Sequence, residues 1–267
     1  MTGVRIVVAG AAGRMGRTLI RAIVADEECS LAGAIEAADH PDCGKDAAAV
    51  AGATSVGVSL SSEASAVLAG ADALIDFTTP SVSVGLIALS AELRVVHVIG
   101  TTGFSAEEEA QISTAARDTV VVKSGNMSMG VTLLATLVKR AARALPGFDV
   151  EILELHHRMK TDAPSGTALL LGRSACQGRE TPLEAQSERT GQAEPRKSGV
   201  VGFASLRAGT VVGEHHVVLA GTQERIVLSH IAEDRAIFAH GAIAAAKWGQ
   251  SRSPGLYSMA DVLGISE

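Results

Sequence analysis

The sequence predicts an α/β protein of two domains: a doubly wound parallel sheet, then an α+β domain built on a mixed or antiparallel sheet. Three observations carry this. Short apolar runs rich in Val and Ile alternate with helix-length stretches through the first half. A glycine-rich turn joins the first strand to the first helix. After about Asn126 the strands become short and hairpin-spaced. Apolar strands separated by helices indicate a parallel sheet covered on both faces, since each such strand is buried on both sides.

Taken in order, residues 5–9 read as the first strand and 14–25 as a helix of 3.6-residue periodicity. Residues 31–35, 73–77, 95–99 and 120–122 read as further strands, with helices over 82–91 and 106–116 between them. Beyond Asn126 come a long helix over 129–144, a strand over 150–155 and a helix from about Pro164 to Cys176. The polar stretch 177–197 is expected to be a mobile loop. Strand candidates follow at 200–206, 215–220 and 225–230, then a helix over 236–248 and a short tail that returns to the first domain. The expected boundaries are 1–127, completed by 236–267, for a dinucleotide-binding domain, and 128–235 for a domain of substrate binding and oligomerisation.

Composition narrows the class. Of 267 residues, 47% are hydrophobic but only 3% aromatic, so the core is made of small aliphatic side chains. A mean hydropathy of +0.27 raises the question of a membrane. No stretch approaches the roughly 20 uninterrupted apolar residues that a spanning helix needs. Residues 1–9 read as a strand rather than a secretory signal. Cys29, Cys43 and Cys176 form no CxxC pair, which fits a reducing compartment. A soluble, cytoplasmic protein is expected. With a net charge of −6 and no Lys/Arg run, nucleic acid is not an expected partner, nor is a membrane.

The turn at residues 10–16 reads Gly10-Ala11-Ala12-Gly13-Arg14-Met15-Gly16. In such a turn one glycine lets the chain reverse tightly, one lets a pyrophosphate approach the backbone, and one lets helix pack on strand. Exposed N–H groups and the helix dipole then hold the anion. The spacing is GxxGxxG rather than GxGxxG, with Ala11 where the first glycine of the usual pattern falls. Glu36 ends the second strand about 20 residues on, where an acid accepts hydrogen bonds from the adenosine ribose. Read alone, Glu36 is a solvated strand-end acid and the turn a tight corner. Together, in the first βα unit, they indicate a Rossmann-like dinucleotide site. The residue after Glu36 is Ala37, with no basic residue before Lys45, although Arg14 can reach the region. The cofactor is NADH or NADPH, with the balance slightly toward NADH, because NADP binders commonly place an Arg beside the acid.

Residues 154–168 begin where a strand ends and finish where a helix begins, so their side chains sit on a rim held by rigid elements. Ser165, Gly166 and Thr167 at the helix start form a cradle for a carboxylate or phosphate, and Pro164 suits its first turn. Lys160 adds a full positive charge, and His156 and His157 can exchange protons near neutral pH. Singly, each has a bland reading: a surface lysine, one packed and one solvated histidine, an ordinary helix start. Their joint occurrence argues for function.

The string HHRMKTDAPSGTA at 156–168 closely resembles the signature of the dihydrodipicolinate reductase family. The resemblance extends to GAAGRMG at 10–16, IDFTTP at 75–80, GTTG at 100–103, GEH at 213–215 and the helix from Arg235 to Gly241. It implies reduction of a small cyclic dicarboxylate imine on the lysine and diaminopimelate pathway, with hydride from the nicotinamide. It also implies that His156 donates the proton and that Lys160 assists. His157, Ser165, Gly166, Thr167 and Thr102 would contact substrate. The cofactor would meet the glycine turn, Glu36, Phe77, Thr78, Gly100, Thr101 and Thr102, then Gly125, Asn126 and Met127. Arg235 and Phe238 would lie near its adenosine half; their bland readings are a helix-start charge and a buried aromatic. Members are usually homotetramers assembled through the sheet face. Their two domains close about hinges that would match residues 126–128 and Arg235.

Three rivals differ in chemistry. The first is another two-domain nicotinamide oxidoreductase, such as a sugar or semialdehyde dehydrogenase; the latter would need a nucleophilic cysteine at a poised junction, and none of the three cysteines sits at one. A non-catalytic NAD(P)H-binding regulator would have little use for His156, His157 and Lys160 together. A metal hydrolase would use the pairs His156/His157 and His215/His216, but neighbours on a strand face opposite ways, so each pair offers one ligand. No metal is expected.

Overall fold

A computed structural model describes residues 3–187 and 195–265. The chain divides into two compact units, Met1–Ser128 with Ala236–Glu267, and Met129–Arg235.

In the first unit the chain runs β1 (Val4–Ala9), α1 (Arg14–Val24), β2 (Cys29–Ile35), α2 (Ala47–Val50), β3 (Leu60–Ser61), α3 (Ala64–Leu68), β4 (Ala73–Asp76), α4 (Pro80–Leu93), β5 (Val96–Ile99), α5 (Ala106–Ala115) and β6 (Val120–Lys123). In the second it forms α6 (Met129–Ala144), β7 (Asp149–His156), α7 (Gly166–Arg179), β8 (Ala185–Gln186), β9 (Val201–Arg207), β10 (Gly213–Ala220) and β11 (Arg225–Ala232). It then completes the first with α8 (Ala236–Gly249), β12 (Gly255–Tyr257) and α9 (Met259–Val262).

The first sheet has the order β12-β6-β5-β4-β1-β2-β3, every neighbouring pair parallel. Its central strands are buried on both faces and are apolar but for Asp76 at the end of β4 and His97 within β5. Leu19 and Ile20 of α1 share one core with Ile6, Val98, Ala242 and Ala246, so α8 seals the same face that α1 covers. Strand order reverses between β1 and β4, which opens a crevice at their carboxyl ends, where ligands of such sheets bind.

The second sheet has the order β11-β10-β7-β9-β8 and is mixed: β7 pairs antiparallel with β10 and parallel with β9. The hairpin-like spacing of β9 and β10 is therefore misleading, because β7 lies between them. A short link can step over one intervening strand, about 10 Å at the usual strand spacing. Alternation along β7 turns Val150, Ile152, Glu154 and His156 to one face, where Val150 and Ile152 share a core with Leu134 and Val138 of α6 and Leu171 and Ala175 of α7.

Three local expectations are corrected. Pro164 is not in the first turn of α7: it precedes Ser165, whose side chain caps the helix by accepting the Ala168 N–H. The 177–197 stretch begins within α7 and contains β8, because Cys176 and Leu183 pack into the core; residues 188–194 lie outside the described residues. The strands β3 and β12 are new, each too short to show periodicity. Among the described residues no helix is long and apolar enough to cross a membrane.

A Cβ at Gly16 would collide with the carbonyl oxygen of Gly10 and the backbone of Ala11. Gly16→Ala should lower unfolding free energy by about 1–3 kcal/mol, the usual result of overpacking. A urea midpoint equal to that of the wild type would contradict this account of the turn.

Candidate active site

In the first unit the crevice is lined as its sequence requires. Gly10 takes φ +64°, a left-handed conformation that costs glycine little, and Gly13 caps α1 with no side chain in the way. Ala11 is fully buried, so the missing glycine of the spacing is filled by a core methyl. Arg14 is exposed and Met15 half-buried at the helix start. Glu36 lies at the end of β2, where one carboxylate oxygen accepts the Ala12 N–H at 2.8 Å and the other the Ala37 N–H at 3.0 Å. The acid thus ties the glycine turn to the second strand. Such a backbone cradle at a helix N-terminus fits a dinucleotide pyrophosphate.

The neighbouring strand ends supply the other candidates. Asp76 is buried and accepts both the N–H and hydroxyl of Thr78, at 2.8 and 2.6 Å, which shapes the turn after β4. Gly100 leaves room for the Phe77 ring, since a Cβ there would collide with it. Thr102 and Gly125 are exposed beside each other, whereas Thr101 is buried and accepts a hydrogen bond from Ser83. Asn126 accepts the Ser128 N–H. Met127 is 1% exposed, with its side chain packed in the first unit's core. Phe238 is half-buried against that core.

In the second unit the structure gathers a cluster that sequence reasoning found only in part. Glu154 and His156, two apart on β7, share a face, and His156 Nδ1 meets Glu154 Oε2 in a short hydrogen bond. Register sets His215 of β10 opposite Glu154, and Arg207 of β9 opposite His156. The Arg207 guanidinium grips both carboxylate oxygens, at 2.8 and 3.0 Å. It also donates to the carbonyl oxygens of Asp162 at 2.6 Å and Lys160 at 3.3 Å. Glu154 Oε1 accepts the Ser165 N–H, and Ser165 Oγ lies 3.1 Å from His215 Nε2. Neither group of Ser165 remains open, whereas Gly166 is exposed at the start of α7. Thr167 is half-buried beside it. Lys160 Nζ pairs with Asp162 at 2.7 Å, and His157 Nε2 with Arg235 at 2.9 Å. Arg235 therefore meets His157, a neighbour that its sequence position did not reveal. Glu154 and Arg207 are not legible as site residues, and His215 only through the GEH motif and the rejected metal reading, because strand pairing alone joins the three; the local clue to Glu154 is the Glu-x-His alternation.

The electrostatics separate the two buried imidazoles, whose rings meet edge-on with centroids 5.0 Å apart. Burial, then the neighbouring His156, pushes His215 down to about 4. Burial also lowers His156, but the hydrogen bond and charge of Glu154 oppose it. Burial alone would raise Glu154, yet hydrogen bonds from Arg207, Ser205 and His156 prevail and hold it below the ordinary range. Near neutral pH His215 is neutral, and His156 is the ring fitted to exchange a proton. Glu154, His156 and His215 also offer ligand atoms within 4.8 Å of one another. Arg207 already occupies both oxygens of the carboxylate, as a cation would, so the cluster reads as proton chemistry rather than a metal centre.

Solved structures share this fold of a parallel sheet with a glycine-cradled crevice followed by a mixed-sheet unit. Dipicolinate-bound dihydrodipicolinate reductase from Paenisporosarcina sp. TG-14 superposes with a TM-score of 0.79 at 24% identity, over 97% of this chain and 99% of that one. GenD2 from gentamicin A biosynthesis, solved in complex with NAD, gives 0.62 at 15% identity, over 99% of this chain and 91% of that one. Sequence narrows the class. The family models "Dihydrodipicolinate reductase, N-terminus" and "Dihydrodipicolinate reductase, C-terminus" match residues 4–127 and 130–263. The 4-hydroxy-tetrahydrodipicolinate reductases of Chelativorans sp. and Brucella abortus are each 55% identical, over 100% and 98% of this chain and 98% and 99% of their own. The chain belongs to the dihydrodipicolinate reductase family and is an NAD(P)H-dependent oxidoreductase.

An unfolded chain binds the His215 proton near pH 6.5 but the folded one only near pH 4. Stability from this group is therefore full above that window and falls as pH drops through it, by roughly 3 kcal/mol in total. His215→Asn should flatten the decline in urea-derived stability between pH 6.5 and 4.5. Parallel declines in variant and wild type would refute the assignment.

Proposed function

We propose that the protein reduces 4-hydroxy-tetrahydrodipicolinate to tetrahydrodipicolinate on the diaminopimelate and lysine pathway, with His156 as proton donor. The single observation that carries the site assignment is the His156 ring, one nitrogen tied to a buried carboxylate, on the rim that leads to Lys160 and the start of α7.

When bound, the nicotinamide supplies a hydride to the conjugated imine that forms once the substrate's 4-hydroxyl group has left as water. Gly10, Ala11, Gly13, Arg14, Met15 and Gly16 would hold the pyrophosphate, and Glu36 the adenosine ribose. Thr78, Gly100 and Thr102 border the same crevice. The two substrate carboxylates need two anion sites. Lys160 answers one, exchanging Asp162 for substrate, and the N–H groups at Gly166 and Thr167 answer the other. His157 lies beside Lys160 in the same loop. Hydride addition leaves an electron-rich centre in the ring system, and the His156 imidazolium protonates it.

NADH is the favoured cofactor. Glu36 stands at the ribose position, and the nearby bases Arg17 and Lys45 are engaged by Asp42 at 3.6 and 2.6 Å. Assembly as a homotetramer is favoured by the outward face of the second sheet, where Leu153, Leu206, Val227 and Ile231 stand exposed. The work of such an enzyme is cytoplasmic.

The test follows nicotinamide absorbance while the upstream synthase generates the unstable substrate in place. Wild type should turn over rapidly, faster with NADH than NADPH. His156→Gln and Lys160→Ala should each lose two or more orders of magnitude in kcat/KM, the scale of a lost acid or anion site. Full activity in His156→Gln would remove the donor assignment, and tight NADH binding without turnover would remove the reaction.

A further inference from the structure

Donating a proton demands more of an imidazole than being present: the ring must be held with the correct nitrogen outward. Glu154 and His156 stand on the same face of β7, and Glu154 is 1% exposed. An ionised carboxylate in such a place costs several kcal/mol unless opposite charge and hydrogen bonds compensate. Arg207 provides both through its two-pronged grip. The same guanidinium reaches the carbonyls of Lys160 and Asp162, so carboxylate and anion-binding loop hang on one group.

We propose that Glu154, locked by Arg207, is the positioning residue of the proton donor: it turns His156 Nδ1 inward, presents Nε2 past Gly213, and registers the ring with the loop that carries Lys160. This rests on the reading of His156 as donor. An ionised carboxylate can only accept a hydrogen bond, so Nδ1 keeps its proton and Nε2 is the nitrogen that gains and gives one. Among the described residues Nε2 has no hydrogen-bond partner, and it faces Gly213, where even a methyl group would approach within 3.0 Å. Glycine at the start of β10 keeps that approach clear. The charged and titratable groups around the ring are Glu154 on its own strand, Arg207 on β9, His215 on β10 and Lys160 in the loop. Of these, only Glu154 favours the imidazolium.

Two measurements test this. Glu154→Gln keeps the shape but removes the charge. It should lower kcat at least about tenfold while the substrate KM stays within about threefold, as expected when proton transfer rather than binding is impaired. The basic limb of its kcat profile should move to lower pH, because the group that favoured the protonated ring is gone. Wild-type kcat and an unmoved limb would overturn the proposal. The second measurement needs no variant: 15N NMR of histidine-labelled wild type above the imidazole pKa should find His156 as the Nδ1–H tautomer, the minor form in free histidine. A dominant Nε2–H tautomer would equally overturn it, even if Glu154→Gln failed to fold. A silent Glu154→Gln alongside an inactive His156→Gln would sink this inference alone, whereas an active His156→Gln would sink the donor reading beneath it.

Discussion

A carboxylate with 1% of its surface exposed must be answered on every side, and the second unit is arranged around that demand. Glu154 sits in the middle of a mixed sheet, where the flanking strands decide what faces it. The parallel neighbour brings Arg207, the antiparallel neighbour His215, and the start of α7 an N–H from Ser165. None of these is close in sequence. The loop of residues 157–165 has its course set by Arg207, which holds two of its carbonyls. Removing one member of such a set costs more than the pair contributes, because a charge is then left buried alone.

The first unit solves a different problem, that of bringing backbone close to a polyanion. Its devices are the left-handed Gly10, the absent side chain at Gly16 and an acid that pins Ala12 to the end of β2. Parallel strands buried on both faces make the platform rigid. Asp76, wholly buried at the end of β4, holds Thr78 by two hydrogen bonds and so fixes the rim of the crevice from below. The site residues are thus supported by polar groups that are themselves inaccessible.

Much of this is legible in the sequence. Strands such as β1, β4 and β5 announce themselves because burial on both faces leaves each with a single polar residue. The glycine turn and the 156–168 rim are legible because local backbone geometry restricts which residues can stand there. What was hidden depends on pairing. β9 and β10 have hairpin spacing, yet β7 intervenes, since register is decided by apolar faces distant in sequence. Arg207 reads as an ordinary strand-end base until β9 is laid beside β7. Two- and three-residue strands such as β3 and β12 carry no period to detect. Met127, adjacent to candidate cofactor contacts, points into the core because Gly241 of α8 leaves space for its backbone.

The parallel sheet of the first unit also places a constraint on biosynthesis. β12 pairs with β6, and α8 covers the surface of α1, yet both are encoded after the whole of the second unit. During translation the nascent first unit emerges with β6 as an open edge and an apolar helix face unsealed. It stays so while the inserted segment, contiguous in sequence and able to satisfy its own strand pairs, passes through the ribosome. Vectorial synthesis therefore favours completion of the inner segment first, with the nucleotide-binding fold closing last. In the interval, an exposed strand edge is a template for mispairing, and the chain is most vulnerable to aggregation there.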